Sequence, residues 1–161
     1  MGDPVSPQGS DDELLMERNF PVPQQVVYGA WTNLSSATGW WGPEGFIVPA
    51  DRVSIHRRVG GTYRACMVNT ITGDELWWGG VLRELNPPHH LAMTQEWQAA
   101  DGSAASAETL ISVDLAAHDD GTRMTFRQGP FSDRRDIEGH QAGWNSSFDR
   151  LSRYLARHRS G

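Results

Sequence analysis

The residues with the most chemical promise stand near the end of the chain: His140, Gly143 and Trp144. His140 and Trp144 are four apart and therefore neighbours on one face of a helix, with Gly143 beside them. A glycine turned toward an interior wedge leaves space there, and a histidine beside it offers a hydrogen bond to whatever enters. The competing reading is a histidine satisfied by a backbone carbonyl or by a carboxylate of the sheet. Seven tryptophans are the other oddity: Trp31, Trp40, Trp41, Trp77, Trp78, Trp97 and Trp144. Each is a large ring with one N–H that needs a partner when buried. They could be plain core. Several rings gathered with Met67, Met93 and Phe46 also make the apolar wall that small planar molecules use. Adjacent residues of a strand face opposite ways, so only one of Trp77 and Trp78 can point inward; we assign that role to Trp77.

Other chemistry finds less support. Arg64 alternates with Tyr63 and could hold a carboxylate in its planar fork, but more often pairs with an acid such as Glu75, Glu84 or Glu96. Glu96 alternates with Trp97 and is expected to face solvent. Of six histidines only His89 and His90 adjoin, in a proline turn where they point apart, so no metal site is expected. No Gly-x-Ser-x-Gly elbow is present, and Cys66 reads as a small hydrophobe in a strand. Gly60-Gly61 and Gly79-Gly80 lack the pattern of a phosphate loop and read as bends that let a sheet curl.

These residues need elements to position them. Ile137, Trp144, Phe148, Leu151 and Leu155 recur in helical steps, predicting a long helix over 132–158. Ser132 or Asp133 can cap it, acids lie early and arginines late, as the helix dipole prefers. Gly139 and Gly143 interrupt it at about 1 kcal/mol each against alanine, so the backbone is closely approached there or a space is kept open. Upstream, residues 14–22 read as a strand, and 24–32 and 34–41 as short helices. Strands then follow at 46–50, 53–57, 62–69, 75–85, 90–98, 108–115 and 122–128, separated by turn residues. Thr109, Ile111, Val113 and Leu115 share one face, as do Met124, Phe126 and Gln128, the alternation of a half-buried antiparallel strand. An antiparallel sheet with one apolar face needs a cover, and the final helix is the element long enough. A curved sheet gripping one helix leaves a wedge between them.

In this order Trp40-Trp41-Gly42-Pro43, Gly60-Gly61-Thr62-Tyr63-Arg64, Gly80-Val81, Pro87-Pro88 with Leu91, Gly121-Thr122, and His140 with Gly143-Trp144 resemble the START-like (SRPBCC, helix-grip) superfamily. Within it they resemble the family named for the activator of the heat-shock-protein-90 ATPase. The resemblance runs from about Leu14 to Leu155. It implies an α+β helix-grip fold: a curved antiparallel sheet of about six to seven strands around a long C-terminal helix, with two short helices after the first strand. It also implies a ligand cavity, and a chaperone as a partner of the co-chaperone kind. Cyclase or hydrolase chemistry, found in other branches, would need His140, Arg64 and Glu96 to converge.

At 161 residues the chain suits one domain, expected over 13–158 behind a disordered tail at 1–12. A net charge of −6 argues against a nucleic-acid surface. One cysteine, no signal-peptide pattern in the acidic first residues and no apolar run of membrane length lead to the expectation of a cytoplasmic protein with no membrane contact. An exposed sheet edge leaves a homodimer open. The reading is a non-enzymatic domain holding a hydrophobic small molecule, with no cofactor, no metal and no catalytic residue assigned. The candidate ligand contacts are Trp31, Trp40, Trp41, Phe46, Tyr63, Met67, Trp77, Met93, Trp97, Phe126, His140, Gly143 and Trp144.

Overall fold

Alternation and turn chemistry together build a single curled sheet. The computed structural model describes residues 12–157. In chain order the elements are β1 (Leu14–Phe20), α1 (Gln24–Thr32), α2 (Leu34–Trp40), β2 (Phe46–Ile47), a 3-10 turn at Ala50–Arg52, β3 (Val53–Ile55), β4 (Thr62–Asn69), β5 (Glu75–Asn86), β6 (His90–Gln98), β7 (Thr109–His118), β8 (Gly121–Gly129) and α3 (Arg134–Arg157). The strands are antiparallel in the order β1-β8-β7-β6-β5-β4-β2, with β3 also on β4. That is eight strands where six to seven were expected. All eight fall on segments read as strands from the sequence; β2 and β3, shorter than the 46–50 and 53–57 expected, lie along the same side of β4 with the 3-10 turn between them. The tail expected over 1–12 lies outside the described residues except for Asp12.

The period-two pattern places Thr109, Ile111, Val113 and Leu115 of β7 inward, with Leu110 and Asp114 exposed between them. In β8, Thr122, Met124, Phe126 and Gln128 are buried. The sheet bends where β5 carries Gly79-Gly80 and then a register shift between Leu82 and Glu84. A Cβ on Gly80 would stand 2.1 Å from the Thr94 carbonyl oxygen, so that close crossing requires glycine.

Helix α3 closes the concave face. Asp133 caps it, its Oδ1 accepting from the Asp136 backbone N–H at 2.9 Å. The C-terminal half is held firmly. Phe148, Leu151 and Leu155 are buried, Tyr154 donates to Ser36 Oγ on α2 at 2.9 Å, and Arg18 of β1 pairs with Asp149 at 3.0 Å and donates to Asn145 Oδ1 at 2.6 Å. The N-terminal half is not. Between residues 134 and 143 only Ile137 is buried. One half of the helix is clamped by α1, α2 and β1 while the other stands off the sheet. Among the described residues no helix is long and apolar enough to cross a membrane.

Candidate functional site: an aromatic cavity under the final helix

The standing-off half of α3 roofs a cavity of ≈ 420 Å³. A Cβ built on Gly139 or Gly143 meets nothing within 4 Å, and both glycines line the space. They are therefore open-space glycines and not sites of close backbone approach.

Three groups form the walls. Trp31 from α1 and Trp144 from α3, with ring centroids 5.8 Å apart, close the end next to the core. The loop after α2 supplies Trp41, Gly42, Pro43 and Phe46. The sheet supplies Tyr63 and Met67 of β4, Leu76 and Trp78 of β5, Met93, Gln95 and Trp97 of β6, and Ile111 of β7. Trp41, Trp78 and Trp97 run as a chain of rings, with centroids 5.9 and 6.2 Å apart. His140, beside Phe131 at 4.7 Å and Trp97 at 6.0 Å, continues the aromatic wall. Arg135 and Asp136, both exposed, stand at the rim.

Most of the polar atoms here are already engaged. Tyr63 is buried and donates its O–H to the Thr94 carbonyl at 2.7 Å. Burial, with the Glu96 charge behind it, pushes its phenol far above the ordinary range, so the wall is neutral there. His140 Nδ1 lies 2.9 Å from the Asp136 carbonyl oxygen. A carbonyl only accepts, so Nδ1 carries the hydrogen, and in the neutral ring Nε2 is left as an acceptor. The expected alternative of a backbone carbonyl partner for His140 is thus what its Nδ1 has.

Arg150 fixes the loop wall. Half-buried on α3, its Nη1 faces the carbonyls of Trp41, Gly42, Pro43 and Phe46, with Gly42 closest at 2.7 Å. Burial lowers its pKa from the ordinary arginine value, and the nearby Glu44 carboxylate offsets part of that. Gly42 adopts φ +89°, a left-handed conformation that glycine enters without cost, and this turns its carbonyl toward the guanidinium.

Of the candidate contacts, Trp31, Trp41, Phe46, Tyr63, Met67, Met93, Trp97, His140, Gly143 and Trp144 come together around the cavity. Three do not. Trp77 is on the convex face, where Arg64 stacks on its ring at 4.0 Å and Glu75 accepts from its N–H at 3.3 Å; Trp78 takes the inward place. Trp40 is fully buried one layer back, its N–H given to the Ala30 carbonyl at 2.9 Å. Phe126, also fully buried, packs behind Trp144 at 4.7 Å. Leu76, Gln95, Ile111 and Ser147 were missed. Parity could have found the first three: Leu76 and Trp78 share a face with Leu82, Gln95 lies between inward Met93 and Trp97, and Ile111 lies between Thr109 and Val113.

Arg64 and Glu96 do not join His140. Arg64 donates to Gln98 Oε1 at 2.7 Å and to the Ala99 and Ala100 carbonyls on the outer face, and Gln98 in turn donates to Glu96 at 3.2 Å. The three-residue convergence that acid–base chemistry would need is absent. Among the described residues no group of three His, Cys, Asp or Glu is placed to hold a metal ion.

Comparison with known proteins agrees with this architecture. The family model described as "Activator of Hsp90 ATPase homolog 1-like protein" matches residues 21–156. The chain is similar to the crystal structure of an AHSA1 protein from Silicibacter pomeroyi, with 27% identity, TM-score 0.82, and 91% of this chain and 99% of that chain covered. It is also similar to a Chromobacterium violaceum protein at 25% identity and TM-score 0.75, covering 87% and 94% of the two chains. An Arthrobacter aurescens protein shares the fold at 18% identity and TM-score 0.80, covering 91% and 87%. No curated protein matches significantly. With the curled sheet, the gripped helix and a family match over most of its length, the chain belongs to the Activator of Hsp90 ATPase homolog 1-like family of the START-like, helix-grip superfamily.

Proposed function

We propose that this protein is a binding domain for an apolar, ring-bearing small molecule held between the sheet and the N-terminal half of α3. The observation that carries the reading is the ≈ 420 Å³ space onto which two helix glycines open. That volume lies in the range of about 300–1,000 Å³ typical of small-molecule sites. It is too large for a packing flaw and suits a space that is filled in use. Glycines inside a helix act against its stability, so their placement over the gap favours the gap's having a purpose.

The family's description also suggests a co-chaperone role. The cavity reading is preferred because five of the seven tryptophans and both helix glycines line the cavity, and Trp77 alone of the tryptophans lies on the outer face. Native mass spectrometry of the protein isolated from its own host tests it. A co-purifying molecule of small mass, lost on denaturation, supports binding. A bare chain that also fails to quench with any of a panel of aromatic and fatty compounds contradicts it.

A further inference from the structure

The inner wall of the cavity carries an amide whose orientation is set by a chain of one-way hydrogen bonds. The Trp144 indole N–H can only donate, and it lies 2.8 Å from Gln128 Oε1. The Gln128 nitrogen is thereby turned the other way, 3.1 Å from Gln95 Oε1 and 3.0 Å from Thr109 Oγ1. The Thr109 hydroxyl in turn donates toward Gln95, with its backbone oxygen at 3.2 Å and Oε1 at 3.3 Å. Gln128 is wholly buried and Gln95 is 5% exposed. Gln95 Oε1 therefore faces the wall network, and its NH2 group is left to the cavity that Gln95 lines. Among the described residues that NH2 has no acceptor. A second unspent donor, Trp41 Nε1, is buried without a partner in a ring of the same cavity wall.

Donors without acceptors in an apolar wall ask for an oxygen from the ligand. A carboxylate is the wrong oxygen. Of the lining groups able to carry positive charge, Arg135 stands exposed at the rim beside Asp136 and His140 sits beside Phe131 and Trp97, and neither belongs to the Gln95–Gln128 network; a buried anion without a paired cation is strongly disfavoured. We infer that the cavity takes an uncharged ring compound carrying a carbonyl oxygen, which accepts a hydrogen bond from Gln95 Nε2 while its rings lie against Trp78, Trp97 and Trp144. This rests on the cavity reading above and adds the chemistry of the buried end.

Three probes of similar shape test it by tryptophan quenching: 2-acetylnaphthalene, 2-ethylnaphthalene and 2-naphthoate. In the wild type the ketone binds about three- to tenfold more tightly than the hydrocarbon, the worth of one net hydrogen bond, and the carboxylate binds less tightly than the ketone. In Gln95→Leu the ketone's advantage vanishes while the hydrocarbon still binds. Equal affinity for ketone and hydrocarbon in the wild type, or a preference that survives Gln95→Leu, overturns the inference and leaves the cavity reading standing. So does tighter binding of the carboxylate. Failure of all three probes to bind overturns both. If Gln95→Leu does not fold, the Gln95 side-chain amide signal in 1H–15N spectra of the wild type decides: a shift with the ketone absent with the hydrocarbon upholds the assignment, and identical responses overturn it.

Discussion

Arg150 on α3 donates to the Gly42 carbonyl at 2.7 Å, and through that contact the clamped half of the helix positions the loop that walls the open half. The guanidinium faces three further carbonyls of the same loop. Replacing it with a shape-matched apolar side chain leaves these oxygens without their donor. Arg150→Met should cost about 1.5–3 kcal/mol, the range for hydrogen bonds to a charged group, and should weaken binding to the cavity as well. Urea denaturation reads the first effect and probe titration the second. A variant of unchanged stability would show that the loop stands by itself.

The helix glycines give a prediction of opposite sign. Nothing lies within 4 Å of a Cβ at Gly139 or Gly143, and both lie in helical backbone. Gly139→Ala and Gly143→Ala should each raise stability by about 1 kcal/mol. Thermal or urea denaturation checks it, and a loss of stability would mean that the space is filled.

Gly80 is a glycine of the other kind. A Cβ there would fall 2.1 Å from the Thr94 carbonyl oxygen and 2.5 Å from its hydroxyl. Gly80→Ala should destabilise by about 1–3 kcal/mol or more, as overpacking does, because β5 and β6 would have to separate where the sheet curls. Urea denaturation of this variant beside the two helix variants tests the distinction between bending and open-space glycines.

His90 sets a pH dependence. Partial burial pulls its pKa down, but Glu84 at 2.6 Å and Asp114 at 2.8 Å more than reverse that, leaving it raised above 6.5. Arg127, 4.0 Å from Asp114, tempers the pair. A raised histidine contributes stability that is fully present below 6.5 and is lost as pH rises through its folded value. Stability should therefore fall as pH rises above about 6.5, and His90→Asn should flatten that slope. Denaturation midpoints at several pH values in the two proteins check it; equal slopes would place the titration elsewhere.

Much of this architecture is legible in the sequence, for identifiable reasons. Helical steps in Val27, Tyr28 and Trp31 and alternation around Met93 and Trp97 gave the bounds of α1 and β6 as observed, because turn residues stop both elements at their ends. The two glycines of α3 left a choice between close backbone approach and an open space, and the structure has a space beneath them. Alternation alone could not choose between Trp77 and Trp78, since it fixes spacing but not phase. The phase comes from Leu82, buried on the same strand with the parity of Trp78. Gln95 and Gln128 were illegible for another reason. A polar residue on an apolar face reads as a flaw in the pattern until its partners, which come from β7 and α3, are known.

The gap under α3 is tested most directly by filling it. Gly143→Leu places a branched side chain in the cavity from a position where its Cβ touches nothing, so the fold should tolerate it. Titration of 2-acetylnaphthalene against tryptophan emission, in parallel with urea denaturation, is the measurement. The account predicts saturable binding by the wild type, and in Gly143→Leu a loss of at least about tenfold in affinity, or about 1.4 kcal/mol, with stability kept or raised. Unchanged affinity in the filled variant, or no binding by the wild type, would contradict it.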